Sequence, residues 1–348
     1  MQKAIARFGS LTCALVLALF GHPALAEFET VASGAPVGAN PFRISPVYGS
    51  VVLTFGHDSN LLLVPDAPPF HTGEQAGNFA LVTLTGGVLF PVSERLSFGA
   101  ELSGTLVRTF GTQPAGTSGF VTDPKDYSRH VLQPKVWARF TWPVAGGAFT
   151  LTPSYTYRLE AGSKVHAVGS KSHILRLDAG YDLSANTELT AWVMHAKTDF
   201  DVEFPGQPTR NRDGDYTEAG LALRHYFNSN RSAFSLGLAV ERNNAKGRDW
   251  QFDGTRVFAG IESHLGGRFF GDLTISLSDR DYQASFDDII PGGRDNQRIT
   301  QIDGTLSYVF DSRRAIDLTV THTSFAANDP AFAGDRTVFG LSYVMNLQ

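Results

Sequence analysis

A period-two alternation of apolar and polar residues runs along most of this chain, and it restricts the fold more than any motif does. It is plainest from Asp215 to Glu241. Leu221, Leu223 and Phe227 alternate there with Glu218, Gly220, Ala222 and Arg224. After Asn228-Ser229-Asn230-Arg231, Phe234, Leu236, Leu238 and Val240 alternate with Ser235, Gly237 and Glu241. Successive side chains of a strand point to opposite faces, so each half is a strand with one apolar and one polar face. The Asn/Ser turn joins them as a hairpin.

The same unit recurs along the chain. Strands are expected at Tyr48–Asp58, Asn78–Phe90, Leu96–Arg108, Arg129–Trp142, Ala148–Leu159, Lys171–Leu183 and Thr187–Thr198. The hairpin follows, then Phe252–His264, Arg268–Arg280, Gln297–Phe310, Ala315–Phe325 and Arg336–Leu347. That makes fourteen strands. Thr187–Thr198 has two candidate outer faces, Leu189 with Val193 or Trp192 with Met194. Connections alternate between short turns and longer loops such as Ser59–Gly77, Gly111–Ser128, Asp199–Gly214 and Gln283–Asn296. Aromatic residues gather beside the short turns, among them Phe90, Trp142, Phe149, Tyr181, Phe227, Phe234, Phe269, Tyr308, Phe310 and Tyr343. Short turns on one side, long loops on the other, an even strand number and an aromatic girdle are the pattern of a transmembrane β-barrel. A soluble sandwich also alternates, but its inner face would be a packed core, and here that face carries Arg and Asp at mid-strand. In hydrocarbon every strand edge must be paired, so the sheet must close. The expected fold class is all-β: an antiparallel up-and-down barrel with periplasmic turns and extracellular loops.

The rest of the chain fits an exported protein. Lys3 and Arg7, the apolar run Leu11–Phe20 and Ala24-Leu25-Ala26 form a secretory signal peptide over residues 1–26. The only cysteine, Cys13, leaves with it. Residues 27–47 read as a periplasmic tail and 48–348 as the barrel. Within the tail, Glu29-Thr30-Val31-Ala32 faintly matches an energy-coupling box, but no plug-sized segment follows it. No stretch after the signal is continuously apolar for the roughly 18 residues a spanning helix needs. A formal net charge of −5 argues against a nucleic-acid partner.

At the last strand the chain resembles bacterial outer-membrane β-barrel proteins. Phe339, Leu341, Tyr343, Met345 and Leu347 match their C-terminal alternation, although Leu347-Gln348 departs from the usual aromatic end. The resemblance implies insertion by the barrel-assembly machinery and contact with outer-membrane lipid and lipopolysaccharide. The later hairpins, with Ser307-Tyr308-Val309-Phe310, are also similar to the barrel region of surface lipoprotein assembly modifiers. This chain lacks the helical-repeat domain those proteins carry.

Fourteen strands imply a lumen wider than the side-chain-filled interior of an eight-stranded barrel. Its expected lining carries both signs of charge. Lys135, Arg139, Arg158 and Arg176 form a basic wall, with Asp178 beside Arg176. Glu218, Glu241, Glu262, Asp272, Asp303 and Asp317 form a mostly acidic one, interrupted by Arg224, Arg256 and Arg280. Two such walls would create a transverse field that orients dipolar solutes. The plainer reading is that the charges pair and stiffen the barrel. On this lining, Glu241→Gln is expected to change ion selectivity and leave folding almost untouched. The expected function is a channel for small polar or charged solutes. The alternative is a non-conducting barrel in export, in surface assembly of a polymer or lipoprotein, or in adhesion.

Motifs for chemistry are sparse. Ser170, Ser172 and His173 are adjacent, and a Ser–His pair can activate a nucleophile. His173, however, has lipid-facing parity and no spaced acid partner, so no enzyme is expected. His195 and His322 read as interfacial anchors. Asp213-Gly214-Asp215 lacks the remaining ligands of a calcium loop and reads as turn chemistry. Asn230-Arg231-Ser232 matches a glycosylation sequon but lies in an expected periplasmic turn. No cofactor is expected.

Overall fold

The computed structural model describes residues 47–60, 76–111, 128–144, 147–162, 169–201, 211–283, 296–327 and 333–347. The expected signal peptide and tail, and parts of the long loops, lie outside these. Fourteen strands follow in order: β1 Val47–Asp58, β2 Gly77–Ser93, β3 Leu96–Phe110, β4 Arg129–Val144, β5 Gly147–Ala161, β6 Ser170–Ser184 and β7 Thr187–Phe200, then β8 Gly214–Phe227, β9 Ser232–Ala245, β10 Phe252–Gly266, β11 Phe269–Tyr282, β12 Asn296–Val309, β13 Arg314–Ala327 and β14 Gly334–Leu347. Each pairs antiparallel with its sequence neighbours, and β14 pairs with β1 to close the barrel. The alternation predicts every strand, with bounds displaced by a few residues.

The two faces sort as their chemistry requires. Along β9, Phe234, Leu236, Leu238 and Val240 are exposed, while Gly237, Ala239 and Glu241 between them are buried. The same inversion, greasy residues outside and polar ones inside, recurs around the barrel: Leu53 and Phe55 against Thr54, Leu102 and Leu106 against Thr105, Leu341 against Ser342. Such an exterior is stable only in hydrocarbon, and every strand edge is paired. The chain is a transmembrane barrel of the outer-membrane type.

Beside the short turns the outward aromatics touch within and across strands: Trp142 stacks on Phe140 of its own strand and on Phe149 of β5, and Tyr308 meets Phe269 of β11 and the nearby Phe310. The turn between β8 and β9 places Asn228, Ser229 and Asn230 in the left-handed region, which Asn tolerates better than most residues. At the β12–β13 turn, the side chain of Arg314 and the backbone N–H of Arg313 hold the Asp311 carboxyl below the usual carboxylate range.

On β7 the structure turns Trp192, Met194 and Ala196 inward and Val193 outward. Trp192 belongs inside because it faces Gly220 on β8, where a Cβ would meet its ring at 2.2 Å. The same device recurs four more times on the inner wall. Phe79 covers Gly56, Tyr48 covers Gly87, Trp137 covers Gly99 and Phe258 covers Gly237, each pair directly opposed across two strands. Each ring lies flat against the wall over its glycine instead of projecting into the lumen.

Candidate functional site: the lumenal wall

All fourteen charged residues expected to line the lumen lie on the inward face. What the structure changes is their grouping. Most are held in ion pairs. In the outer half of β7–β11, Tyr216 donates its hydroxyl to Glu218 at 3.0 Å and Glu241 at 2.8 Å. Arg256 pairs with Glu218 at 2.8 Å, Arg280 pairs with Glu241 at 3.0 Å, and the Trp192 indole N–H donates to Glu218 at 2.6 Å. Each buried carboxylate thus has a cation and a neutral donor, the condition under which a buried charge is tolerated. Nearer the periplasm, Arg224 pairs with Glu262 at 2.5 Å.

The supposed basic wall is likewise part neutralised. Arg158 binds Glu160 at 2.8 Å, Arg129 joins the same carboxylate at 2.6 Å, and Arg176 grips Asp178 through Nε and Nη2. Two residues on one strand, two apart, share a face and can close such a pair. The expectation of one continuous basic wall is therefore corrected: it is interleaved with Glu160 and Asp178.

A smaller set takes no ion pair within 4.0 Å among the described residues: Lys135 and Arg139 on β4, Asp272 on β11 and Asp303 on β12. Asp303 accepts from Gln301 and Thr321. In the ring of fourteen, β4 and β11 stand seven strands apart, on opposite walls. Pairing thus leaves fewer unpaired charges on the wall than the sequence suggests. Glu101 on β3 faces Lys135 directly and accepts the Tyr48 hydroxyl at 2.8 Å.

Solvent reaches the wall unevenly. In the outer half the inward side chains are buried: Asp58, Thr198 and Ser172 are 0% exposed, Tyr216 and Phe79 1%. Through the middle and periplasmic parts of β3–β7, by contrast, Glu101, Gln133, Lys135, Trp137, Arg139, Ser154, Asp178 and Glu188 are only half-buried. Lys135 and Arg139 thus lie on the wetter wall.

Several lining residues went unread in the sequence: Asp58 with Arg336 across the β1–β14 seam, Arg129, Glu160, Trp192 and Tyr216. Four of them, Asp58, Arg129, Glu160 and Arg336, sit at loop ends of strands with inward parity, so parity alone could have found them.

Ser172 and His173 point to opposite sides of the wall. Ser172 shares a 2.8 Å hydrogen bond with Thr198 inside, and the His173 ring meets the Tyr155 hydroxyl at 2.8 Å outside. They do not form a pair. His195 lies outside against Thr217 and Asp215, and His322 against Thr337. Asp213 accepts the Phe200 N–H and pairs with Lys246, and no cluster of three or more potential metal ligands occurs among the described residues.

No protein-family model and no curated protein matches the sequence. Among solved structures, the chain is similar to outer-membrane expressed OmpT of Vibrio cholerae, with 10% identity over 86% of this chain and 97% of that one and a TM-score of 0.46. It is similar also to an anion-selective porin from Comamonas acidovorans (12% identity, 86% and 98% covered, TM-score 0.46). A third is OccAB1 of Acinetobacter baumannii (10% identity, 87% and 97% covered, TM-score 0.45). The likeness is one of outline; what the interior does is read from its own side chains.

Proposed function

We propose that the protein is a passive outer-membrane channel for small polar or charged solutes. The observation that carries this reading is the solvent-reached, polar inner wall of β3–β7, where Lys135 and Arg139 take no ion pair among the described residues and Asp272 stands on the opposite side. A wall kept only for stiffness gains nothing from leaving charges half-buried and unpaired. Solutes pass along Lys135 and Arg139, and these two cations bias the passage toward anions. Purified protein in planar bilayers should give discrete conductance steps, and proteoliposomes should swell in small sugars. Bilayers that stay silent at high protein loading would count against the channel.

A second reading has its own support. The burial of most inward side chains in the outer half favours a barrel that does not conduct and acts through its loops, in export, surface assembly or adhesion. It predicts no conductance, and a partner recovered by crosslinking from positions within 59–77 or 111–128.

A further inference from the structure

Lys135, Trp137 and Arg139 alternate along β4 and so share its inward face. Trp137 is held there by construction. It stands opposite Gly99 on β3, and a Cβ on that residue would meet the indole at 2.2 Å, so one ring face rests on bare backbone. The other face is turned to the half-buried, solvent-reached part of the lumen. The Arg139 guanidinium lies over the ring at 5.5 Å from its centroid, within cation–π reach and beyond close stacking contact. Ser154 on β5 faces Trp137, and Ser97 on β3 faces Arg139. The other tryptophans among the described residues differ: Trp192 is 3% exposed and donates to Glu218, Trp142 faces lipid, and Trp250 sits at the outer rim. The carboxylates that act on the site are Glu101 opposite Lys135, and Asp178 and Glu188 near Arg139; Asp178 is already gripped by Arg176.

We propose that Lys135, Trp137 and Arg139 form a binding station for an anion carrying a flat ring, which stacks on the lumenal indole face alongside the Arg139 guanidinium while its anionic group lies between the two cations. Two cations alone would hold any small anion. The indole between them adds a preference for a ring, because offset stacking contributes beyond simple burial. The station rests on the channel reading for its place on a transport path, but not for its existence as a site.

Benzenesulfonate and methanesulfonate carry the same charge and differ in the ring. Binding of both to the detergent-solubilised barrel, followed by saturation-transfer NMR, should favour benzenesulfonate. Trp137→Leu should weaken benzenesulfonate binding about five- to tenfold and leave methanesulfonate unchanged. Arg139→Gln should weaken both. Heat-modifiable migration on gels identifies the variants that still form the barrel, and Trp137→Phe, which keeps a ring, should restore most of the preference. Equal retention of the two sulfonates by the native protein, or an undiminished preference in Trp137→Leu, overturns the station. In bilayers, benzenesulfonate should add brief closures that methanesulfonate does not. Binding in detergent with silent bilayers would support the station and refute the channel; conduction without any ring preference would do the reverse.

Discussion

Glu241 separates two kinds of lumenal charge that look alike in the sequence. Arg280 grips it through Nε and Nη2 while Tyr216 donates to it, all within buried surroundings. Glu241→Gln therefore removes the charge that the buried Arg280 guanidinium grips, and the structure argues for a loss of stability in place of the almost neutral replacement expected from the sequence. Unfolding by urea in phospholipid vesicles should show a loss of about 3 kcal/mol. Lys135→Gln removes a half-buried charge with no ion-pair partner among the described residues, and the same assay should show a change within about 0.5 kcal/mol. Gly99→Val, beneath Trp137, forces the indole off the wall and should cost about 1–3 kcal/mol through overpacking. At this scale the sequence is only partly legible. Arg176 with Asp178, two apart on one strand, is readable as a pair, and Arg158 with Glu160 follows the same rule. Arg256 with Glu218 and Arg280 with Glu241 are not, because each reaches past the strand between them, and that depends on register and tilt.

Among the elements, β9 carries the plainest consequence of the inside-out arrangement. Leu236 lies near its middle and is 53% exposed on the outer face. Leu236→Arg places a cation against hydrocarbon and should lower stability in vesicles by about 2–4 kcal/mol. The β1–β14 seam presents a different problem. It joins the two ends of the barrel through ten paired positions, whereas β1 with β2 and β14 with β13 each make twelve. Side chains reinforce the short ladder at its outer end: Arg336 pairs with Asp58 at 2.5 Å, the Ser59 hydroxyl accepts the Thr337 N–H, and Asn60 donates to the Asp335 carbonyl. Arg336→Asp sets two carboxylates together there and should lower the yield of heat-modifiable barrel on refolding into detergent; adding Asp58→Arg should recover it. The strands themselves were legible because period two survives at any register. The inner face of β7 was not, since its two candidate faces are both apolar and only the glycine opposite Trp192 decides between them.

For the whole molecule, an alternation that repeats fourteen times and closes on itself leaves one face for lipid and one for the lumen, and this much can be read without coordinates. The electrostatics of the lumen cannot, because ion pairing cancels most of it. Without an ion pair among the described residues are two basic side chains on β4, Lys135 and Arg139, half-buried on the inner wall, and, across the ring, Asp272 on β11 and Asp303 on β12. If these two cations line the proposed channel, they should show in its ion selectivity as much as in its conductance. The most direct measurement is the reversal potential of single channels across a salt gradient, for the native protein and for Lys135→Gln/Arg139→Gln. Discrete steps whose reversal potential moves toward cation preference in the double variant are the predicted result; silent bilayers, or a reversal potential indifferent to both substitutions, would contradict it.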